Sequence, residues 1–261
     1  MTFDEVLAGV DGKGSGVLPE GWGQGRALFG GLVGAVLYDH LEKSVGAGRM
    51  LRSFSLSFVA PAAPGPVTLT SEVFREGKSV MQAMVTARQD GQVVAAMLAS
   101  LGAARESAVK VAAPVMPAMK APEDSFSLPN IKGVTPDFLE HFDMRYANGK
   151  PPYSGSDEAN FTGYMGFREA PAAMSTAALI ALVDTWPPSV LSMLRTPAPA
   201  SSLTWTMELL DDPASRPADT LWRYQVDTDQ CSDGYGQSRA TIWDADGRAV
   251  ALSRQTFTVF A

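Results

Sequence analysis

Residues 87–101, ARQDGQVVAAMLASL, and residues 242–257, IWDADGRAVALSRQTF, follow one plan. Each places Asp-Gly at a turn and continues as a β-rich run ending near a Leu or Phe. Asp-Gly between alternating apolar runs is a strong hairpin signal, because both residues tolerate the positive φ of a tight turn. The order of elements matches backwards from each. VTLTSEVFREGKSVMQAMVTA (67–87) reads as two strands around Glu76, Gly77 and Lys78. DTLWRYQVDTDQCSDGYGQSRATIW (219–243) reads as two strands around a longer loop. Before these come LRSFSLSFVAP (51–61) and SSLTWTMELL (201–210), each a strand by alternation. Before those stand two helical segments, FGGLVGAVLYDHLEKS (29–44) and AAMSTAALIALVDTW (172–186). A repeat of this length is a duplicated domain and not a solenoid.

The division that follows is residues 1–108, a linker over 109–133, and residues 134–261. The linker holds Pro114, Pro117, Pro122 and Pro129 and has no clear periodicity. Each half pairs one helix with a long antiparallel meander, an α+β composition. The economical packing curls the sheet around the helix, which must then be apolar on nearly all sides. Leu32, Val33, Val36 and Leu37 in the first helix, and Leu179, Ile180, Leu182 and Val183 in the second, meet that requirement.

Composition narrows the function classes. With 261 residues and 46% hydrophobic content the chain can bury a substantial core. No apolar run approaches the roughly 20 residues of a membrane span, and the N-terminus lacks the pattern of a signal peptide. The formal net charge of −7 argues against a nucleic-acid partner, although a few local cations could still meet a small anion. A single cysteine, Cys231, rules out an intramolecular disulfide framework and fits a reducing cytoplasm. It reads as a loop residue. His40 and His141 have no ligand at metal-binding spacing, so no metal site is expected. The glycine clusters give no dinucleotide fingerprint and there is no G-x-S-x-G elbow.

One residue breaks the pattern of the second helix. Asp184 lies within ALIALVDTWPP (178–188), near the helix C-terminus. The macrodipole disfavours a negative charge there, and burial adds a further cost unless partners compensate. On the last strand Gln255 shares parity with Phe257 and Val259, the apolar face. Ser202 shares parity with Thr204 and Thr206, the face opposite Trp205, so it reaches the helix only if a bulge or the strand end re-aims it.

A helix enclosed by an antiparallel sheet, twice in one chain, resembles the double hotdog fold. ALFGGLVGAVLYDHL with RSFSLSFVAP, and ALIALVDTW with SSLTWTMEL and DGRAVALSRQTF, look like the type II acyl-CoA thioesterase family. The resemblance runs from about Gly21 to the C-terminus, except for the linker. It implies a hydrolytic centre made of Asp184, a hydroxyl residue at Ser202 and the amide of Gln255, which together hold a water against an acyl-CoA thioester. Many members carry Thr where this chain has Ser202, and a shift of register would substitute Ser201 or Thr204. The resemblance also makes Gly30 and Gly31, opening the first helix, candidates for binding the thioester oxygen. The second helix, starting near Pro171, offers the other N-terminus. No cofactor is implied. Asp39 stands at the corresponding position of the first helix and Ala99 where the second half has Gln255, so one site per chain is expected. Pairing of chains into a homo-oligomer would use sheet edges or faces. The alternative function is a hotdog protein that binds an acyl-CoA or acyl chain without hydrolysing it.

Overall fold

In the computed structural model, which describes residues 1–46 and 48–261, Asp90 and Gly91 take φ of 49° and 78°. They close a two-residue hairpin, with Gln89 opposite Gln92. The helices are α1 (Phe3–Ala8), α2 (Gly30–Val45) and α3 (Thr176–Val183). The strands of the first half are β1 (Ser15–Leu18), β2 (Gly23–Gln24), β3 (Ala27–Leu28), β4 (Met50–Phe58), β5 (Gly65–Glu76), β6 (Val80–Gln89) and β7 (Gln92–Gly102). Those after it are β8 (Phe126–Ser127), β9 (Phe142–Asn148), β10 (Asn160–Phe167), β11 (Ala200–Leu209), β12 (Trp222–Ser232), β13 (Tyr235–Trp243) and β14 (Ala249–Val259).

Twelve of the strands form one antiparallel sheet in the order β1-β5-β6-β7-β4-β11-β14-β13-β12-β10-β9-β8, and β2 and β3 form a separate small hairpin. The series β5-β6-β7-β4 is repeated as β12-β13-β14-β11. The two meet where β4 pairs with β11, Ser57 opposite Thr204 and Ser55 opposite Thr206. Inside the wrapped sheet every residue of α3 is buried, as is most of α2 through Leu41. Leu179, Ile180 and Leu182 are almost wholly removed from water, each contributing about 1.5–3 kcal/mol. The α+β expectation, a sheet wrapped around two central helices, is met.

α2 and α3 run antiparallel and touch through glycine. A Cβ on Gly31 would lie 2.8 Å from the carbonyl oxygen of Ala181, and one on Gly34 would lie 3.1 Å from Cγ2 of Ile180. Gly31→Ala is therefore expected to destabilise the fold by about 2 kcal/mol or more. Urea unfolding measures this, and an unchanged midpoint would mean that the helices part more easily than their packing implies.

Three local expectations are corrected. The loop expected between β12 and β13 is a two-residue turn, Asp233 and Gly234, with φ of 53° and 77°, and Ser232 opposite Tyr235. It obeys the same Asp-Gly chemistry as the first hairpin. Cys231 consequently stands on β12, exposed, and not in a loop. α3 begins at Thr176 with Ser175 as its cap, five residues after Pro171, because the Ser175 hydroxyl accepts from the Ala178 N–H and stops the helix there. The segment 109–133 lies partly over the second half. Trp243 Nε1 donates to the Pro114 carbonyl at 3.0 Å, and Tyr164 Oη donates to that of Lys120 at 2.8 Å. Phe126 and Ser127 pair with β9 as an edge strand.

Candidate active site

Asp184 caps the C-terminus of α3, directly beside the first turn of α2. A Cβ on Gly30 would come within 2.7 Å of Asp184 Oδ2. Gln255 Nε2 donates to Asp184 Oδ1 at 2.5 Å, and the Gly31 N–H faces the same carboxylate. Burial pushes the Asp184 carboxyl up to about 7, against the pull of the Gln255 amide and the Gly31 N–H. The unfavourable C-terminal end of α3 is thus opposed by the favourable N-terminal end of α2. A carboxyl held near neutrality can give up a proton and take one back at physiological pH.

The two helix N-termini differ. Ser175 caps α3 with its own hydroxyl, whereas Phe29, at the N-cap of α2, offers no side-chain hydrogen bond. First-turn N–H groups have no partner within a helix, so the start of α2 is the one open to a ligand oxygen. It is also the one next to Asp184. The ring of Phe29 stacks on Phe138 with centroids 4.2 Å apart, which anchors this helix start to the second half.

Ser202 reaches the inner face by the route its parity required. The register of β11 against β14 shifts between Ser202 and Thr204: Ser202 stands opposite Phe257 and Thr204 opposite Thr256. Leu203 is the extra residue of a bulge, and side chains before and after it swap faces. Ser202 therefore lies on the same face as Gln255, which stands opposite Trp205. Thr204 is exposed, opposite Ser57 of β4. Ser202 and Asp184 line one cavity of about 300 Å³. Among the described residues the Ser202 hydroxyl forms no hydrogen bond with Asp184 or Gln255. Ser201 lines the same cavity and directs its hydroxyl to the Ser202 carbonyl at 3.5 Å.

The structure brings Asp184 together with Gln255, Gly30 and Gly31, and Ser202 lines the same cavity as Gly30 and Asp184. The remaining walls were not legible beforehand. They come from Leu28 on the β2–β3 hairpin, Val33 on α2, Phe58 at the end of β4, Val94 on β7, and Pro188 and Leu203. They converge from six segments, and only the Pro187–Pro188 stop after α3 leaves a sequence signal. The corresponding place in the first half is different. Asp39 pairs with Lys43 at 2.6 Å, and Ala99 is a buried residue opposite Phe54. Two cations of the first half are committed elsewhere: Arg49 pairs with Glu76 at 3.0 Å and Arg52 donates to the Gly102 carbonyl. Among the described residues no helix is long and apolar enough to cross a membrane.

Comparison with known proteins adds the family. None of the curated proteins matches the chain significantly in sequence. In structure it is similar to a hot dog fold protein from Alicyclobacillus acidocaldarius, with 25% identity, TM-score 0.89, and coverage of 99% of this chain and 98% of that one. It shares its fold with the acyl-CoA thioesterase II TesB2 from Mycobacterium marinum, at 20% identity and TM-score 0.75 over 94% and 91% of the two chains. The tesB protein of Mycobacterium avium subs paratuberculosis also shares it, at 16% identity and TM-score 0.79 over 100% of both. Residues 18–102 match the model of the acyl-CoA thioesterase N-terminal domain and residues 115–259 that of the C-terminal domain. Both domains occur in order and span most of the sequence, so the chain belongs to the acyl-CoA thioesterase family that its sequence resembles.

Proposed function

We propose that this protein hydrolyses an acyl-CoA to the free acid and CoA at a single site per chain, with Asp184 as general base. The observation that carries the reading is the Asp184 carboxylate, lifted to about 7 and held by Gln255 beside the uncapped start of α2. The thioester carbonyl oxygen is placed at the first-turn N–H groups of α2, opened by Gly30 and Gly31. Ser202 and Gln255 orient a water toward the carbonyl carbon. Asp184 takes a proton from that water as its oxygen bonds to the carbon, and the negative charge develops on the carbonyl oxygen. The carbon–sulfur bond then breaks, and the proton on Asp184 returns to the departing thiolate. General-base help is worth about 10²–10⁴-fold, and donors aimed at the oxyanion add a further 10²–10³-fold. The reading places the enzyme in the cytoplasm, where the exposed thiol of Cys231 stays reduced.

Free-thiol release from a panel of acyl-CoA substrates tests the activity. Within that assay Gln255→Ala is expected to lower kcat about 10–100-fold with KM little changed, because it removes a positioning donor and leaves the substrate walls intact. An unchanged kcat would remove Gln255 from the water-holding role. Binding without any thiol release would favour the non-catalytic acyl-CoA protein.

A further inference from the structure

We propose that Trp186 is a positioning residue of the reaction: its indole, wedged between the end of α3 and β10, holds the Asp184 carboxylate at the start of α2 and keeps water from its inner side. This rests on the reading above that Asp184 is the base. The need for such a hold follows from where α3 stops. Asp184 is already past the last helical residue, with φ of −86° and ψ of 1°. The Thr185 N–H and hydroxyl both return to the Leu182 carbonyl, at 3.1 and 2.7 Å, and Pro187 and Pro188 have no N–H to donate. Between the carboxylate and the two prolines Trp186 is the one large side chain, and it is buried.

The sheet is shaped to receive it. Gly163 on β10 stands opposite Tyr224 of β12 and Tyr146 of β9. Residues opposite one another in antiparallel strands point to the same face, so two tyrosines flank a floor that has no side chain. Gly163 takes no positive φ, so it answers to crowding and not to the backbone. A Cβ there would lie 2.4 Å from Cη2 of Trp186 and 2.6 Å from the Arg145 carbonyl oxygen. The indole lies over the Tyr224 ring with planes 19° apart and centroids at 5.5 Å, and Tyr146 meets it edge-on at 85° and 5.0 Å. Phe161 closes the slot, its centroid 4.9 Å from that of the indole. Close-packed rings of this kind leave the indole one place to sit.

Two observations set this cluster apart from plain core filling. Trp186 Nε1 is buried with no hydrogen-bond partner among the described residues. An unpaired buried N–H opposes folding, and Phe at 186 would avoid it, so the reach and stiffness of the indole are kept against that cost. The cluster also feels the carboxylate. Burial and, after it, the Asp184 charge hold the Tyr224 phenol well above its ordinary value. The ring on which Trp186 stacks therefore lies within the field of Asp184, in a buried setting that screens it little. Neither ring lines the cavity that holds Asp184 and Ser202, so this apolar backing lies away from the substrate side. Its loss should reach the carboxylate and spare the substrate walls.

Trp186→Ala and Trp186→Phe, assayed for thiol release from acyl-CoA across the pH range, test the role. In Trp186→Ala kcat is expected to fall about 30-fold with KM within about threefold, because a displaced carboxylate no longer meets the water it must deprotonate. The acid limb of its rate profile should move down by about one pH unit, since water entering the vacated slot eases the burial that holds Asp184 near 7. The Tyr224 phenol stays neutral over that range, so the limb reads Asp184. Trp186→Phe returns a ring to the slot and should keep kcat within about fivefold and the acid limb close to that of the parent. An indole that only fills the core would lower the urea midpoint and leave kcat and the acid limb unchanged, and that result overturns the proposal. If Trp186→Ala fails to fold, Tyr224→Leu removes the stacking ring and should move both readouts in the same directions; parent-like values there overturn the proposal equally. Carboxyl carbon NMR titration of Asp184, identified by the signal lost in Asp184→Asn, separates the two readings. No thiol release from the parent, with a titration that Trp186→Ala shifts to lower pH, sinks the hydrolase and keeps the hold on Asp184. Thiol release that neither variant alters keeps the hydrolase and sinks the positioning role.

Discussion

Asp184→Asn is expected to lower kcat by about 10³-fold while leaving affinity for a thioether analogue within a few-fold of the parent. The amide keeps an oxygen that can accept from Gln255 Nε2, now 2.5 Å from the carboxylate, so the local geometry has little reason to change. What it loses is the basic electron pair that takes the proton from water. The same substitution should make the protein more stable at pH 8, by about 1–3 kcal/mol. A carboxylate whose ionisation is held back to about 7 by burial opposes folding once charged, and an amide of the same shape does not. Loss of activity together with a gain in stability is the signature of a group kept for chemistry at the expense of packing. Kinetics and urea unfolding of one variant measure both. A variant as active as the parent would remove Asp184 as the base, and a clear loss of stability at pH 8 would show that its charge is better compensated than its surroundings imply.

The second large effect is on pH dependence, where rate and stability should move in opposite directions. Only ionised Asp184 can act as base, so kcat should fall about tenfold for each pH unit below about 7, and level off above it. For stability the sign follows from proton counting. The carboxyl binds its proton near 3.8 in the unfolded chain and near 7 in the folded one, so between those values the folded state holds more protons. Stability contributed by this group is therefore present at the acid end and lost as pH rises through the folded value, over the window from about 4 to 7. Asp184→Asn removes that slope, and the difference in unfolding free energy between variant and parent should grow across the window and then hold level. A rate profile flat from pH 5 to 8, or a parallel pair of stability curves, would contradict an Asp184 held near neutrality.

How much of this could be read from the chain depended on the range of the interaction involved. Asp90 and Gly91, the alternation along β6 and β7, and the all-apolar α3 are local signals, and all appear as strands, turn and buried helix. The contact of Asp184 with Gln255 was implied by the family resemblance, and parity, which puts Gln255 on the inner face of its strand, agreed with it. Ser202 was not legible to the same degree. Its parity pointed the wrong way, and only the bulge at Leu203 turns it inward. A bulge depends on how β11 meets β14, which the residues of β11 alone do not specify.

The sequence by itself thus determined the duplication and the order of helix and strands in each half, because periodicity and turn chemistry act over a few residues, while its resemblance to a family named the groups that meet on the inner face. Tertiary structure alone decided which helix N-terminus faces the carboxylate, that the other is closed by Ser175, and how much space remains beside Asp184. Those follow from the antiparallel approach of α2 and α3 through Gly31 and Gly34 and from walls contributed by distant segments. Such distances are set by packing across the whole core, and no stretch of the chain carries them.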